Sequence, residues 1–452
     1  MSGLSTAHSV ALAALLARCS EAMLKSVSST VAGLPGEKAI DMRRMLAEEM
    51  ADRRRRALAF EPILPMFRVR GDGIPATTFP AEVLPRLWKV ASGREPQLLP
   101  RLDEDEGGRV IVANRICQAA ASIVRDQPDL VWPAGLRPEV RDKGLEDLAI
   151  SLDLSHLARR ALPLIEVWLK RPDGDQLAEL RLMVKDCAEI HADGAWRLVE
   201  ILFAHLEDAV LILRILTRTS GAADQVGFLS VSEMGDFVER LLNGVSQRVE
   251  RLTAWAAEGG QGDIAPVMVD LDWCANVLAE LDVTLTLEPD SPWGISVRES
   301  RLTVATWMSR LYRKAAKAVD AALPLVRVQT SGRMTRMAPD LAAPARGEAA
   351  EKAFALMKLV GVTRRAASTF GAEGDRKTLI DELVERLTSY ADQILSSINE
   401  EGADRTHGLA LIAVAARYLE LIEARDAART VRRRAAAAAG NGGPAGASSQ
   451  AA

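Results

Sequence analysis

The sequence predicts an all-α protein. The expected architecture is a multi-helix bundle, or an irregular α-solenoid, around one central buried helix, with a separate C-terminal three-helix unit. Three observations carry this reading. Apolar residues recur at three- and four-residue spacing along most of the 452 residues. Strand-like alternation is scarce: VTLTL at 283–287 alternates, but it is short and has no partner run, so it reads as a helix end or loop. The third is the stretch Trp196–Thr219. At 3.6 residues per turn Arg197, Glu200, Ala204, Glu207, Asp208, Leu211, Arg214 and Arg218 share one narrow stripe, and nearly everything else is apolar. A helix with one wet edge belongs in the middle of a bundle. Its charges argue against a membrane span, which needs roughly 20 residues nearly free of charge.

The chain opens with a helical hairpin over 1–59. Leu12, Leu16, Cys19 and Met23 form a seam, Gly33-Leu34-Pro35-Gly36 breaks it, and a second helix runs over 37–59. Seven prolines between Pro62 and Pro100 predict an irregular connector over 60–108, with one short helix near 81–91. Within it Arg70-Gly71-Asp72 copies an integrin-binding tripeptide and reads as a turn.

A central bundle is expected over 109–328, with helices at 109–126, 144–169, 174–191, 194–219, 232–257, 264–286 and 297–326. Ser230-Val231-Ser232-Glu233 has the form of a capping box, and Asp263 with Pro266 that of a helix start. Leu302, Ala305, Ser309, Tyr312, Ala316, Val319, Leu323 and Val326 keep heptad-like spacing. Residues 329–347 read as a linker, being rich in Gly and Pro and without a period. The C-terminal unit, 348–436, has helices at 348–369, 375–400 and 404–436. Glu401-Gly402-Ala403 is a break short enough to make the last two antiparallel. Residues 437–452 cannot bury a face and are expected to be a disordered tail.

Composition narrows the function classes. A hydrophobic content of 48% and a charged content of 26% are those of a soluble globular protein. A net charge of −4 excludes the whole molecule as an electrostatic nucleic-acid binder, leaving only a local patch for that role. Four scattered cysteines without a CxxC pair make neither a disulfide framework nor a zinc site. The N-terminus lacks the basic region of a signal peptide. Together these predict a cytoplasmic protein with no transmembrane segment. The excess of arginine over lysine and the abundant alanine suggest a bacterial source.

The search for chemistry returns no catalytic, cofactor-binding or metal-binding residue. His205 lies on the apolar side of the central stretch and reads as a core histidine with one hydrogen-bond partner. Asp153/His156 and Asp404/His407 have the spacing of ligand pairs on one helix face, but both aspartates stand where helices are expected to start and read as N-caps. Gly371–Thr378 imitates a phosphate loop, yet Arg376 stands where a second glycine is needed and a helical pattern precedes it, so it reads as a turn capped by Asp375.

Charge gives the one candidate site. Between Arg298 and Arg336 nine basic residues face only Glu299 and Asp320, a net of +7. Arg310, Arg313, Lys314 and Lys317 fall within about a third of one helix circumference, and Arg333 and Arg336 extend the patch into the linker. Such a stripe attracts phosphates, anionic lipid or an acidic protein surface. The competing explanation is a solvated face answered by the acidic run Asp103–Glu106. Arg53–Arg56 and Arg432–Arg434 read as cations complementing helix ends.

The expected function is therefore that of a non-enzymatic helical interaction or scaffold protein with protein partners and no cofactor. One alternative is a regulator contacting nucleic acid or anionic membrane through 298–336. The other is a helical-bundle enzyme with a metal or ligand among the histidines.

Overall fold

The computed structural model describes residues 4–133, 137–219, 235–258, 260, 262–331, 334–398 and 404–440. It is 80% helical with one two-stranded sheet, an all-α multi-helix bundle. The chain divides into two compact units, Met1–Gly235 and Asp236–Ala452. The helices expected between 109 and 328 are thus shared between them. Ser230–Glu233 and residues 441–452 lie outside the described residues.

In the first unit the hairpin has three helices, Thr6–Arg18, Glu21–Ala32 and Glu37–Ala59. Ser20 restarts the chain after Arg18, its side chain accepting from the Met23 amide as an N-cap. Residues 60–108 include the expected short helix, here Val83–Arg94, and contribute buried residues to the core. Five of the seven prolines are absorbed by 3-10 segments at Glu61–Phe67 and Pro96–Asp103 and by the first turn of the helix Val83–Arg94. The apolar residues between them (Phe60, Ile63, Met66, Phe67, Phe79) are buried.

The central stretch is two helices, Gly194–His205 and Ile212–Thr219, joined through a 3-10 turn at Ala209–Leu211. Asp208 makes the break: its carboxylate accepts from the Val210 amide and restarts the helix. Leu198, Ile201, Leu202, Ile212, Leu213 and Leu216 are fully buried, as a core element requires. The expected wet edge holds at Glu207 and Asp208, which are exposed, but its first two residues are dry. Glu200 is 0% exposed, with Oε2 accepting from the Thr77 amide at 3.2 Å, and Arg197, 5% exposed, pairs with Asp147.

The helix ends explain many of the arginines. The last carbonyls of a helix have no partner within it, and here guanidinium groups from other elements supply one. Arg53 donates to Leu16, Ala17 and Cys19 at the end of the first helix. Arg43 does the same for Ala32 and Leu34, and Arg159 for Leu58 and Ala59. Arg70 donates to the carbonyls of Phe203 at 2.6 Å and Leu206 at 2.9 Å, lies 4.3 Å over the Phe203 ring and pairs with Asp72 at 2.5 Å. Arg70-Gly71-Asp72 is thus an internal clamp on the break in the central stretch. Arg70→Ala should cost roughly 2–3 kcal/mol, since it removes the donor of two carbonyls and the ion pair with Asp72. Arg70→Lys should recover little, because an ammonium cannot reproduce the planar fork. Urea unfolding of the three proteins checks both.

The second unit contains the helices Gly235–Ala257, Ala265–Thr284, Pro292–Ala322, Glu348–Val362, Arg364–Thr369, Glu373–Ser397, Arg405–Leu421 and Arg425–Gly440. VTLTL spans the end of Ala265–Thr284 and the extended residues after it. Two expected C-terminal helices are each broken, at Thr363 and at Glu423, the latter with φ of 65°. The end of the helix expected over 297–326 and the first part of the stretch expected as a linker form a β-hairpin instead: β1, Leu325–Ser331, pairs antiparallel with β2, Met334–Pro339, and residues 340–347 are irregular. Among the described residues no helix is long and apolar enough to cross a membrane.

Candidate anionic-partner interface

The stripe lies on the helix Pro292–Ala322, which starts cleanly because Ser291 caps it and Pro292 occupies its first position. Trp307, Met308, Leu311, Tyr312, Ala315 and Val319 are buried and fix its rotation. Arg310, Arg313 and Lys317 are left exposed and Lys314 half-buried. The Tyr312 hydroxyl meets Thr363 Oγ1 at 3.2 Å, and Arg386 donates to the Ala316 carbonyl. The cations therefore stand on an anchored surface.

Not all of the basic residues are available. Arg301 pairs with Asp282 at 2.5 Å, and Arg298 donates to the Pro289 carbonyl. Asp320, one of the two acids in the segment, is held by Arg386 at 2.9 Å. Arg310, Arg313, Lys317, Arg327 and Arg336 meet no carboxylate among the described residues. Arg333 lies outside them.

The acidic run expected to answer the stripe is used within its own unit. Asp103 pairs with Arg55, Glu104 with Arg101, and Asp105 caps the helix Glu106–Asp126.

Two features here escape a sequence reading. Lys352, on the helix Glu348–Val362, is close enough that its charge, after burial, helps lower the pKa of Lys314. A groove of about 490 Å³ also flanks the stripe, lined by Thr253, Trp255, Thr306, Trp307, Arg310 and Lys314. In it the Lys314 ammonium lies 5.9 Å from the centre of the Trp255 ring, which lies 6.3 Å from that of Trp307.

The remaining candidates are engaged in structure. Asp404 caps its helix as expected, and His407 donates to the Ala343 carbonyl at 2.7 Å. Asp153 is not a cap: it ends the helix Pro138–Asp153 and pairs with Arg125, while His156 bonds the Asp153 carbonyl. Among the described residues no three His, Cys, Asp or Glu side chains converge on one point.

The imitation phosphate loop turns at Gly371, φ +75°. Its Arg376 is buried against the carbonyls of Val360 and Gly361. Asp375 is inside the first turn, not the cap, and accepts from the Ser309 hydroxyl. The four cysteines are free thiols; burial pushes Cys187 and Cys274 up to about 12, which makes them poor nucleophiles.

His205 is a bonded core histidine, its Nε2 donating to the Pro62 carbonyl at 2.8 Å. Burial lowers its pKa, outweighing that bond. The unfolded chain then takes up a proton that the folded state resists. This part of the stability is complete above about pH 6.5 and is lost as pH falls below it. His205→Gln should flatten the thermal midpoint between about pH 7.5 and 5. An unchanged pH profile would contradict this assignment.

Comparison with family models, with curated proteins and with solved structures returns no match to this chain, so the interface rests on its own geometry.

Proposed function

We propose that this chain is a helical interaction protein whose second unit docks a polyanionic partner through the stripe Arg310, Arg313, Lys314 and Lys317, with Lys352 beside it. One observation carries the reading: Arg310, Arg313 and Lys317, exposed on a rigidly anchored helix, meet no carboxylate among the described residues. Phosphate oxygens or clustered carboxylates would supply what the fold withholds, with affinity drawn largely from released counterions. The free thiols accord with the reducing bacterial cytoplasm that belongs to this proposal.

Retention on heparin-agarose tests it. The parent should elute only at raised salt, and the variant Arg310→Glu/Arg313→Glu/Lys317→Glu should pass through unretained with an unchanged circular dichroism spectrum. Equal elution of the two proteins would refute the proposal.

A further inference from the structure

The side chains of the hairpin beside the stripe are exposed along most of its described length. Leu325 is 41% exposed and Met337 51%, and Val326, Arg327, Val328, Gln329, Thr335 and Arg336 are exposed as well; Ala338 and Pro339, at its root, are buried. A two-stranded ribbon is at best marginally stable in water by itself. One that leaves both faces wet is suited to being covered by something else.

Its register says by what. Arg327 lies opposite Met337 and Gln329 opposite Thr335, so with strand alternation these four share one face; Val326, Val328, Arg336 and Ala338 share the other. The paired positions from Leu325 to Gln329 and from Thr335 to Pro339 carry two arginines and no carboxylate. Neither arginine meets a carboxylate among the described residues.

We propose that this ribbon enters the major groove of duplex DNA, with the Arg327, Gln329, Thr335 and Met337 face toward the base edges. This rests on the polyanion reading and names its partner. The major groove, about 12 Å wide, admits a two-stranded ribbon. The five-residue stem spans about 17 Å, the rise of about five base pairs. The side chains suit the groove floor: Arg can fork onto guanine O6 and N7, Gln onto adenine N6 and N7, and Thr and Met can touch thymine methyl groups. The stripe supplies the phosphate contacts, since Lys317 lies only about 7 Å of helix rise before the helix ends at Ala322 and the chain turns into the ribbon. A lipid bilayer fits this face less well, because acyl chains offer nothing to the hydrogen-bonding groups of Arg327 and Gln329.

The test measures fluorescence anisotropy of a mixed-sequence 30-base-pair duplex with the full chain, its Arg327→Ala/Gln329→Ala variant and the stripe variant. The parent should bind, and methyl green, a major-groove dye, should displace it where the minor-groove ligand netropsin does not. The ribbon variant should lose about tenfold or more on the duplex, whereas on heparin, having lost one cation, it should elute only slightly before the parent and remain retained where the stripe variant passes through. Parent-like duplex binding by the ribbon variant, displacement by netropsin, or a parent that binds heparin but not the duplex would overturn the ribbon assignment and leave the stripe standing. A parent that binds neither heparin nor duplex overturns both.

Discussion

Replacing Leu202 by Asp is expected to unfold the first unit. Leu202 is fully buried within the helix Gly194–His205. Burying an unpaired ionisable group costs several kcal/mol, comparable to the stability of a whole domain. Ile212→Asp should act alike, since Ile212 is equally buried on the far side of the Ala209–Leu211 turn. In circular dichroism the variants should lose part of the helical signal at room temperature, and limited proteolysis should cut within Met1–Gly235 while sparing Asp236–Ala452. A variant that melts like the parent would show that this stretch is not central.

The second large effect concerns Asp147. Its carboxylate is the ion-pair partner of Arg197, which is otherwise stacked 4.4 Å from the Trp196 ring. Asp147→Ala leaves a buried guanidinium without its counter-charge and should cost roughly 3–5 kcal/mol. Burial raises the pKa of Asp147 despite the opposing pull of Arg197, so burial outweighs attraction at this carboxyl. Removing both charges should then be far milder than removing one. Asp147→Leu with Arg197→Met is expected to recover most of the loss, as apolar replacements of buried pairs do. Chemical unfolding of the single and double variants decides it. A double variant as unstable as Asp147→Ala would mean that the pair specifies the packing rather than merely satisfying it.

The all-α class was legible because helical seams are local. Ile380 to Ile398 announces its helix with no help from elsewhere; of the seam expected from Leu302 to Val326, Tyr312 and Val319 are buried, but Leu302 is exposed and Val326 lies in β1. The interruptions were not legible, because what terminates these helices is distant in sequence. Asp208 looks like one more residue of a polar stripe until its carboxylate is seen capping Val210. Arg70 ends a helix 133 residues away, and Arg159 ends one about 100 residues before it. No periodicity encodes either contact. Arg197 and Glu200 looked solvated for the same reason: their partners, Asp147 and the Thr77 amide, come from other elements. Prolines over 60–108 exclude long α-helices, as expected, without excluding burial in 3-10 turns, so the buried residues there could not be read from them.

The interface divides likewise. Four cations on one helix face could be read directly, whereas Lys352 and the tryptophan groove depend on neighbouring helices. The ribbon depends on Gly- and Pro-rich sequence that reads as a linker until the strands are seen to pair.

The salt dependence of binding, one cation at a time, tests the stripe most directly. Arg310, Arg313 and Lys317 would each be changed to Gln, and log Kd for duplex DNA plotted against log salt concentration. Each substitution is expected to lower the slope by about one, as follows when one phosphate fewer is neutralised. Arg298→Gln and Arg301→Gln, whose guanidinium groups are engaged by Pro289 and Asp282, should leave it unchanged. Equal slopes for all six proteins, or a reduced slope only at Arg298 and Arg301, would show that the stripe is solvated surface.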